Sequence, residues 1–353
     1  MKKKFAVALS LMMISAIALT GCGGGTTGGE TTGGETGTEK TTEAEKPADN
    51  GGFISIATGG TGGTYYPLGG AIATALNNSN IGVQANAQAT GASIENVQLI
   101  HNGDAEIAFI QNDVAYYAVN GKEFFDPSNP DSDKAVAGTY DDLRGVACVY
   151  PEVVHIIASD ASGINSVKDL KGKRVAVGAP GSSLEVNGRQ IVEAYGMTYD
   201  DFAKTDFLSF AESADQIKNG QIDAAFAVTG VPTSSITELA TTYDIHLVPV
   251  DEEVAKKLIE KYPYYTYQKI TPTEYRNQKA DIPVLAVKSM LVVNKSMSDE
   301  MAYNITKSIF EHLEDIGNAH ARGKDLSLET ALDGMSIEVH PGAQKYFDEQ
   351  KAK

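Results

Sequence analysis

Tryptophan does not occur in this chain, cysteine occurs only twice, and basic side chains number 29 against 46 acidic ones. Each shortage excludes something. A formal net charge of -17 with no basic stripe argues against a nucleic-acid surface. Acidity of this size favours solubility and leaves the ligand open. The lysine of a phosphate-gripping P-loop is missing from TGGTGGTYY, whose Gly60-Thr61-Gly62-Gly63-Thr64-Tyr65 also lacks the last glycine of a dinucleotide fingerprint. No H-E-x-x-H run or close cysteine–histidine cluster offers a zinc site, and Gly181-Ser182-Ser183-Leu184-Glu185 lacks the closing glycine of a nucleophile elbow. Neither a metal nor a cofactor is expected, and no base stands beside a nucleophile, so a binding role is favoured over catalysis.

The first 52 residues read as address and spacer. Lys2, Lys3 and Lys4 precede a short apolar stretch that ends in Leu19-Thr20-Gly21-Cys22, a lipobox-like close. Residues 1–21 are therefore expected to be a lipoprotein signal peptide, with Cys22 the lipidated residue on the outer face of the cell membrane. Residues 22–52 are rich in glycine, threonine and glutamate and almost free of apolar side chains. Such a segment cannot bury enough surface to offset its ordering entropy, and reads as a flexible tether. With Cys22 lipidated, Cys148 has no partner for an internal disulfide. Its setting in GVACVY suggests a buried, inert thiol.

Beyond residue 53 the sequence repeats itself. LIHNGDAEIAFIQND, from Leu99, and QIKNGQIDAAFAVTG, from Gln216, each join a helix end, an Asn-Gly turn and a short apolar strand, so that Phe109 corresponds to Phe226. Glycine after asparagine suits the left-handed backbone that ends a helix. Each copy is preceded by a strand, a glycine-rich turn and a helix; Ser213 is expected to cap the helix of the second copy. Strands alternating with helices predict an α/β architecture on a mainly parallel sheet, here in two lobes facing each other across a cleft. The expected division is residues 53–148 plus 288–353 for lobe 1 and residues 149–287 for lobe 2, with crossings near residues 146–152 and 283–293.

In open α/β sheets, ligands bind beyond the carboxyl ends of the strands. That rule nominates residues 59–66, 90–93, 111–113, 179–183 and 229–232, five loops rich in glycine, hydroxyls and amides and free of lysine and arginine. Gly62, Gly63, Thr64, Tyr65, Thr90, Ser93, Gln111, Gly181, Ser182, Ser183, Thr229, Gly230 and Pro232 are the ligand-binding candidates they supply. Leu68, Ile72, Ala75 and Leu76 form a helical stripe behind the first loop. Thr64 is either the cap of that helix or a ligand contact. Asp113 either caps the next helix or, like Glu152, holds a cationic group. His155, in YPEVVHIIAS, is either a structural histidine on the crossing strand or a contact. Tyr65 and Tyr150 offer an apolar face with a hydroxyl tip, suited to walling a small polar ligand; the tyrosines of KYPYYTY form a lid or a structural loop.

Several of these stretches together resemble one family. TGGTGGTYYPLGGAIA, TGASIENVQLIHNGDAEIAFIQNDVAYYA, LRGVACVYPEVVHIIA, VKDLKGKRVAVGAPGSS, DAAFAVTGVPTSSI, KYPYYT and HPGAQKYF are similar, in order and spacing, to the TAXI solute receptors of TRAP transporters. The resemblance covers residues 53–347. It implies the two-lobed periplasmic-binding-protein fold, type II-like, and delivery of a small acid such as glutamate or glutamine to an ion-gradient-driven TRAP membrane permease. A sensing lipoprotein or an ABC-type receptor of the same fold is the alternative. Where the family usually reads GAPGSGT, this chain has Gly178-Ala179-Pro180-Gly181-Ser182-Ser183-Leu184, which puts the inherited ligand identity in doubt. With no basic residue in the loops, a carboxylate would be held by backbone N–H groups, by Thr64, Thr90, Ser93 and Ser182, and by tyrosine hydroxyls. It is expected at residues 62–65, with Ser182 and Thr229 closing from the other lobe.

Overall fold

The structure, a computed structural model, describes residues 52–129, 135–179 and 182–352. The signal-peptide and lipidation expectations, Cys22 included, and the Gly181 expectation lie outside the described residues. Among the described residues no helix is long and apolar enough to cross a membrane.

The first half opens with β1 (Phe53–Ala57), α1 (Tyr65–Asn78), β2 (Gln84–Gln88), α2 (Ser93–Asn102), β3 (Ile107–Gln111) and α3 (Asn112–Asn120). The long strand β4 (Leu143–Ser159) then leads into β5 (Arg174–Ala176), α4 (Leu184–Ala194), β6 (Lys204–Asp206), α5 (Phe210–Lys218) and β7 (Ala224–Thr229). Next come α6 (Ser234–Thr242), β8 (Ile245–Leu247), α7 (Glu252–Lys261), β9 (Thr266–Ile270) and a second long strand, β10 (Ile282–Asn294). Three helices close the chain: α8 (Asp299–Glu311), α9 (Leu313–Ala319) and α10 (Pro341–Lys351).

The strands run in the order β2-β1-β3-β10-β4-β7-β5-β6, with β8 beside β4 and β9 beside β10. The three strands at each end pair in parallel, as βαβ units require. The centre departs from the mainly parallel expectation: β10 is antiparallel to β3 and to β4, and β4 is antiparallel to β7. The reason is that β4 and β10 serve both halves. Residues 289–292 of β10 pair with β3, and residues 282–286 with β9. Residues 153–158 of β4 pair with β7. The expected crossings fall inside these two strands, and the ladder between them shifts register between Lys288 and Met290.

Each half carries apolar packing on both faces of its sheet. Ile56, Leu68, Phe109, Ile305 and Phe347 pack on one side of the first half; Val97, Ile110, Tyr117 and Met290 pack on the other. In the second half, Ile156, Val175, Ile191, Phe226 and Leu258 oppose Ile157, Ala225, Ile236 and Leu239. Side chains alternate along β4 as strand geometry demands: Val154 and Ile156 go to one cluster, Val153 and Ile157 to the other. Two lobes of this construction on a shared pair of strands make a two-lobed α/β fold.

The repeat is visible in the backbone. Gly103 ends α2 at φ 76 and Gly220 follows α5 at φ 66, each turning the chain into β3 or β7, whose Phe109 and Phe226 are buried. That left-handed conformation is why glycine stands there. The α5 cap is Ser209, whose hydroxyl accepts from the Glu212 N–H in a reciprocal capping box; Ser213, expected as the cap, is inside the helix and buried. Cys148 is a free, buried thiol whose pKa burial pushes up to about 12, consistent with an inert side chain.

Candidate functional site

The carboxyl ends of β1 and β3 and the N-termini of α1 and α4 converge on one cleft at the seam of the halves. It holds about 440 Å³ of atom-free space, partly open to solvent. The first half contributes Gly59, Gly60, Gly63, Thr64, Tyr65, Ala92, Ser93 and Gln111; the second supplies Ser182, Ser183, Leu184, Phe210, Val228 and Thr229. Tyr150 and Glu152, from the middle of β4, form its inner wall.

The two sides touch through side chains. The Thr64 and Thr229 hydroxyls are 3.0 Å apart and hydrogen-bonded, and Ser183 Oγ donates to Gln111 Oε1. Outside the cleft, the Gly62 carbonyl accepts from the hydroxyls of Thr233 and Ser234, each at 3.1 Å, and of Ser235 at 3.2 Å. Gly62 is therefore a clasp between the halves and does not line the cleft. Thr64 occupies the N-cap position of α1, but its side chain makes no capping bond; its hydroxyl pairs with that of Thr229, which leaves one proton of the pair free to donate. Ser182 lines the cleft while its hydroxyl donates to the Ala179 carbonyl at 2.9 Å.

Five other candidates lie outside the cleft lining. Asp113 is fully buried outside the cleft lining and does not cap α3. Its Oδ1 accepts from the Val114 N–H at 2.9 Å and its Oδ2 from Asn187 Nδ2, on α4, at 2.8 Å. Burial raises its pKa to about 6. His155 sits on the opposite face of β4, where its ring bonds the Val153 carbonyl at 3.0 Å and the Tyr275 hydroxyl at 3.1 Å; burial lowers its pKa to about 4. Thr90 turns inward to the Thr58 carbonyl and the Asn96 side chain. Gly230 and Pro232 lie behind Thr229 and outside the lining; a Cβ on Gly230 would press on Arg322 and Thr64. The KYPYYTY tyrosines are structural: Tyr265 is buried and bonds Asn187 and Gln190, while Tyr264 bonds Tyr117.

Electrostatically the inner wall is unusual. Glu152 is 2% exposed, and its Oε2 accepts from Gln111 Nε2 at 3.1 Å. Its Oε1, the Tyr65 hydroxyl and the Ser289 hydroxyl are buried with no hydrogen-bond partner. Burial raises the Glu152 pKa from 4.5 to about 7, against the lowering influence of the nearby Tyr65, Gln111 and Ser289 side chains, with Asp113 adding to the rise. Burial and the adjacent Glu152 raise the Tyr65 and Tyr150 pKa values well above the ordinary tyrosine range. Among the described residues no group of three or more histidine, cysteine, aspartate or glutamate side chains is arranged to hold a metal ion.

Sequence reasoning missed Gly59, Gly60 and Ala92 as lining although they belong to the nominated loops, and missed Leu184, Phe210 and Val228, which supply an apolar border. Ser289 was also missed. Its only signal is the polar pair Lys288-Ser289 breaking the apolar run of β10. Arg322, in the short helical turn Ala321–Asp325, was likewise unforeseen; it backs Gly230 and forms an ion pair with Asp325 at 3.1 Å.

Comparison with known proteins agrees with this architecture. The periplasmic binding protein BugD superposes with a TM-score of 0.54, covering 85% of this chain and 97% of that one at 12% identity. Likeness at that identity speaks for fold alone, and the fold shared with that protein is the two-lobed α/β arrangement described above. The pattern of the NMT1-like family matches residues 56–350, and the chain belongs to that family. The aliphatic sulphonate binding protein SsuA from Escherichia coli is similar at 15% identity and a TM-score of 0.47, over 84% of this chain and 78% of that one. A binding protein component of an ABC phosphonate transporter from Pseudomonas aeruginosa gives 15% and 0.48, over 86% and 96%. These two superpose too loosely to add to the assignment.

Proposed function

We propose that the protein is an extracytoplasmic solute receptor that closes its two lobes on a small carboxylate-bearing molecule and passes it to a membrane permease. The observation that carries this reading is the cleft itself, lined from both halves, with hydroxyls and two helix N-termini facing it. The solute's carboxylate sits at the start of α1, beside Gly63, Thr64 and Tyr65, with Ser182 and Thr229 completing the cradle. Helix N-termini favour anions by ~0.3–1 kcal/mol each and up to ~2 when partly buried. Several such donors are compatible with micromolar binding, about -8 kcal/mol. The hinge lies where β4 and β10 pass from lobe 1 (residues 53–148 and 288–353) to lobe 2 (residues 149–287). The leader and Cys22 would tether the receptor to the outer face of the membrane. No catalytic role is proposed.

The permease is the finer question. The TAXI resemblance implies an ion-gradient-driven TRAP permease and a glutamate-like ligand. Membership of the NMT1-like family does not carry that subtype, and an ABC-type receptor of the same fold accommodates it at least as well. Stimulated ATP hydrolysis by the reconstituted permease identifies the ABC type; ion-gradient-dependent uptake without it identifies TRAP.

The receptor reading is tested by a thermal-shift screen of amino acids and dicarboxylates, followed by calorimetry. A ligand at 100 times its Kd should add about 2.7 kcal/mol of stability. Thr64→Ala and Ser182→Ala should each weaken a hit severalfold. Unchanged affinity in both variants overturns the carboxylate site.

A further inference from the structure

The anion cradle occupies only one end of the cleft. At the inner end, the Glu152 carboxylate is walled in by Tyr65 from α1, Gln111 at the end of β3, Tyr150 from its own strand and Ser289 from β10. Gln111 satisfies one oxygen; the hydroxyls of Tyr65 and Ser289 lie near enough to the carboxyl group to favour its charged form, yet neither they nor the other oxygen makes a hydrogen bond within 3.5 Å. Among the described residues no lysine or arginine lines the cleft, and the charged neighbour that bears on Glu152 is another carboxylate, Asp113. A buried carboxylate with a free oxygen and no cation is costly to ionise, and a protein carries such a group either neutral or paired.

We infer that Glu152, Tyr65 and Ser289 form a cation subsite that selects solutes bearing a protonated amine, and that the incoming ammonium displaces a proton from Glu152 to solvent. This rests on the reading of the cleft as the solute site. In the empty receptor the proton supplies the missing charge. An aliphatic ammonium, with a pKa of about 10, keeps its own proton when it meets the carboxyl group, so the carboxyl loses one. The exchange keeps the inner end neutral before and after binding. The ammonium donates to Glu152 Oε1 and to the oxygens of Tyr65 and Ser289, giving all three orphan atoms a partner. A solute with a carboxylate but no amine would leave the subsite unfilled, and one with a second anion there would face Glu152.

The tests pair acids that differ only in the amine: L-glutamate with glutarate, L-glutamine with glutaramate, and L-alanine with propionate. Each is titrated calorimetrically into the full chain at pH 5 to 8, in phosphate and in Tris. For the pair that binds, the amine member should be at least tenfold tighter. Its Kd should tighten roughly tenfold from pH 5 to pH 6 and level off above pH 7, where Glu152 is already ionised. The buffer dependence of the enthalpy should report release of about half a proton at pH 7 and nearly one at pH 6. Glu152→Gln, isosteric with the protonated form, should stay folded while losing the amine preference and the proton release; Ser289→Ala should weaken the amine member severalfold. Equal binding of the amine-free acid would overturn the cation subsite and leave the receptor standing. Amine preference without proton release, or one that survives in Glu152→Gln, also overturns it. If no member of any pair binds, the carboxylate-receptor reading falls and this inference falls with it.

Discussion

Replacing Glu152 with glutamine should stabilise the empty protein at alkaline pH, although the change deletes a hydrogen-bonded polar group from the interior. The folded state holds the Glu152 proton with a pKa of about 7 against an ordinary value of 4.5, because burial penalises the charged form. Between these values the native state binds more protons than the unfolded chain, so stability falls as pH rises through the window. At ~1.4 kcal/mol per pH unit, the rise from 4.5 to about 7 costs the wild type about 3 kcal/mol above neutrality. Below pH 5 the cost is less than about 1 kcal/mol, since the unfolded chain is then partly protonated too. Glutamine carries no such penalty and keeps the size and shape of the neutral acid.

Urea unfolding followed by circular dichroism, with both proteins stripped of ligand, reads this directly. The stability gap between Glu152→Gln and wild type should widen from under about 1 kcal/mol at pH 5 to about 3 kcal/mol at pH 8. For a chain of this size that corresponds to roughly 5–10 °C in Tm. Asp113 titrates in both proteins and cancels from the difference to first order. The reasoning is refuted if the variant is less stable than wild type at pH 8, or if the gap is the same at both ends of the range.

Three further outcomes test other parts of the structure. His155 has its pKa lowered from 6.5 to about 4, so the unfolded chain takes up a proton first as pH falls. Up to about 3 kcal/mol of stability should be lost between pH 6.5 and 4; a His155 ring resonance titrating above pH 6 by NMR would contradict this. Thr229→Val removes the 3.0 Å hydroxyl bond to Thr64 across the cleft. At about 1 kcal/mol for one hydrogen bond, a bound solute should lose roughly fivefold in affinity, and an unchanged Kd would deny the bond a part in closure. Gly342→Ala places a methyl group against the Asp299 carbonyl, where α10 packs on α8. Overpacking of this kind costs ~1–3 kcal/mol, and a Tm within 1 °C of wild type would show that the helices yield without strain.

The readable parts of this fold were those written locally. The Asn-Gly turns need a left-handed backbone within two residues of a helix end, so both copies of the repeat announce themselves. The stripe of Leu68, Ile72, Ala75 and Leu76 likewise needs only helical spacing, and all four are buried. The cleft-lining loops were found because β1 runs into a glycine-rich stretch and β3 into the polar run Gln111-Asn112-Asp113, both of which break a strand pattern. The antiparallel centre was not readable in the same way. It depends on β10 returning more than a hundred residues after β4, and no local pattern records which neighbours a strand will meet.

The candidate site divides along the same line, with one instructive exception. Ser289 and Arg322 reach the seam through long-range topology, and their isolated sequence contexts are ordinary. His155, by contrast, could have been separated from the cleft by counting alone. In a strand, residues two apart share a face, so Tyr150 and Glu152 belong with Val154 and Ile156, while Val153, His155 and Ile157 belong to the other side. The odd-numbered face buries His155 against Tyr275, and the even-numbered face begins in the cleft with Tyr150 and Glu152. Placing one acidic residue of β4 in the cleft and its histidine outside is thus a consequence of strand parity. The same parity leaves Glu152 facing the cavity without a cationic neighbour, so the strand that joins the lobes also gives the cleft its chemical polarity.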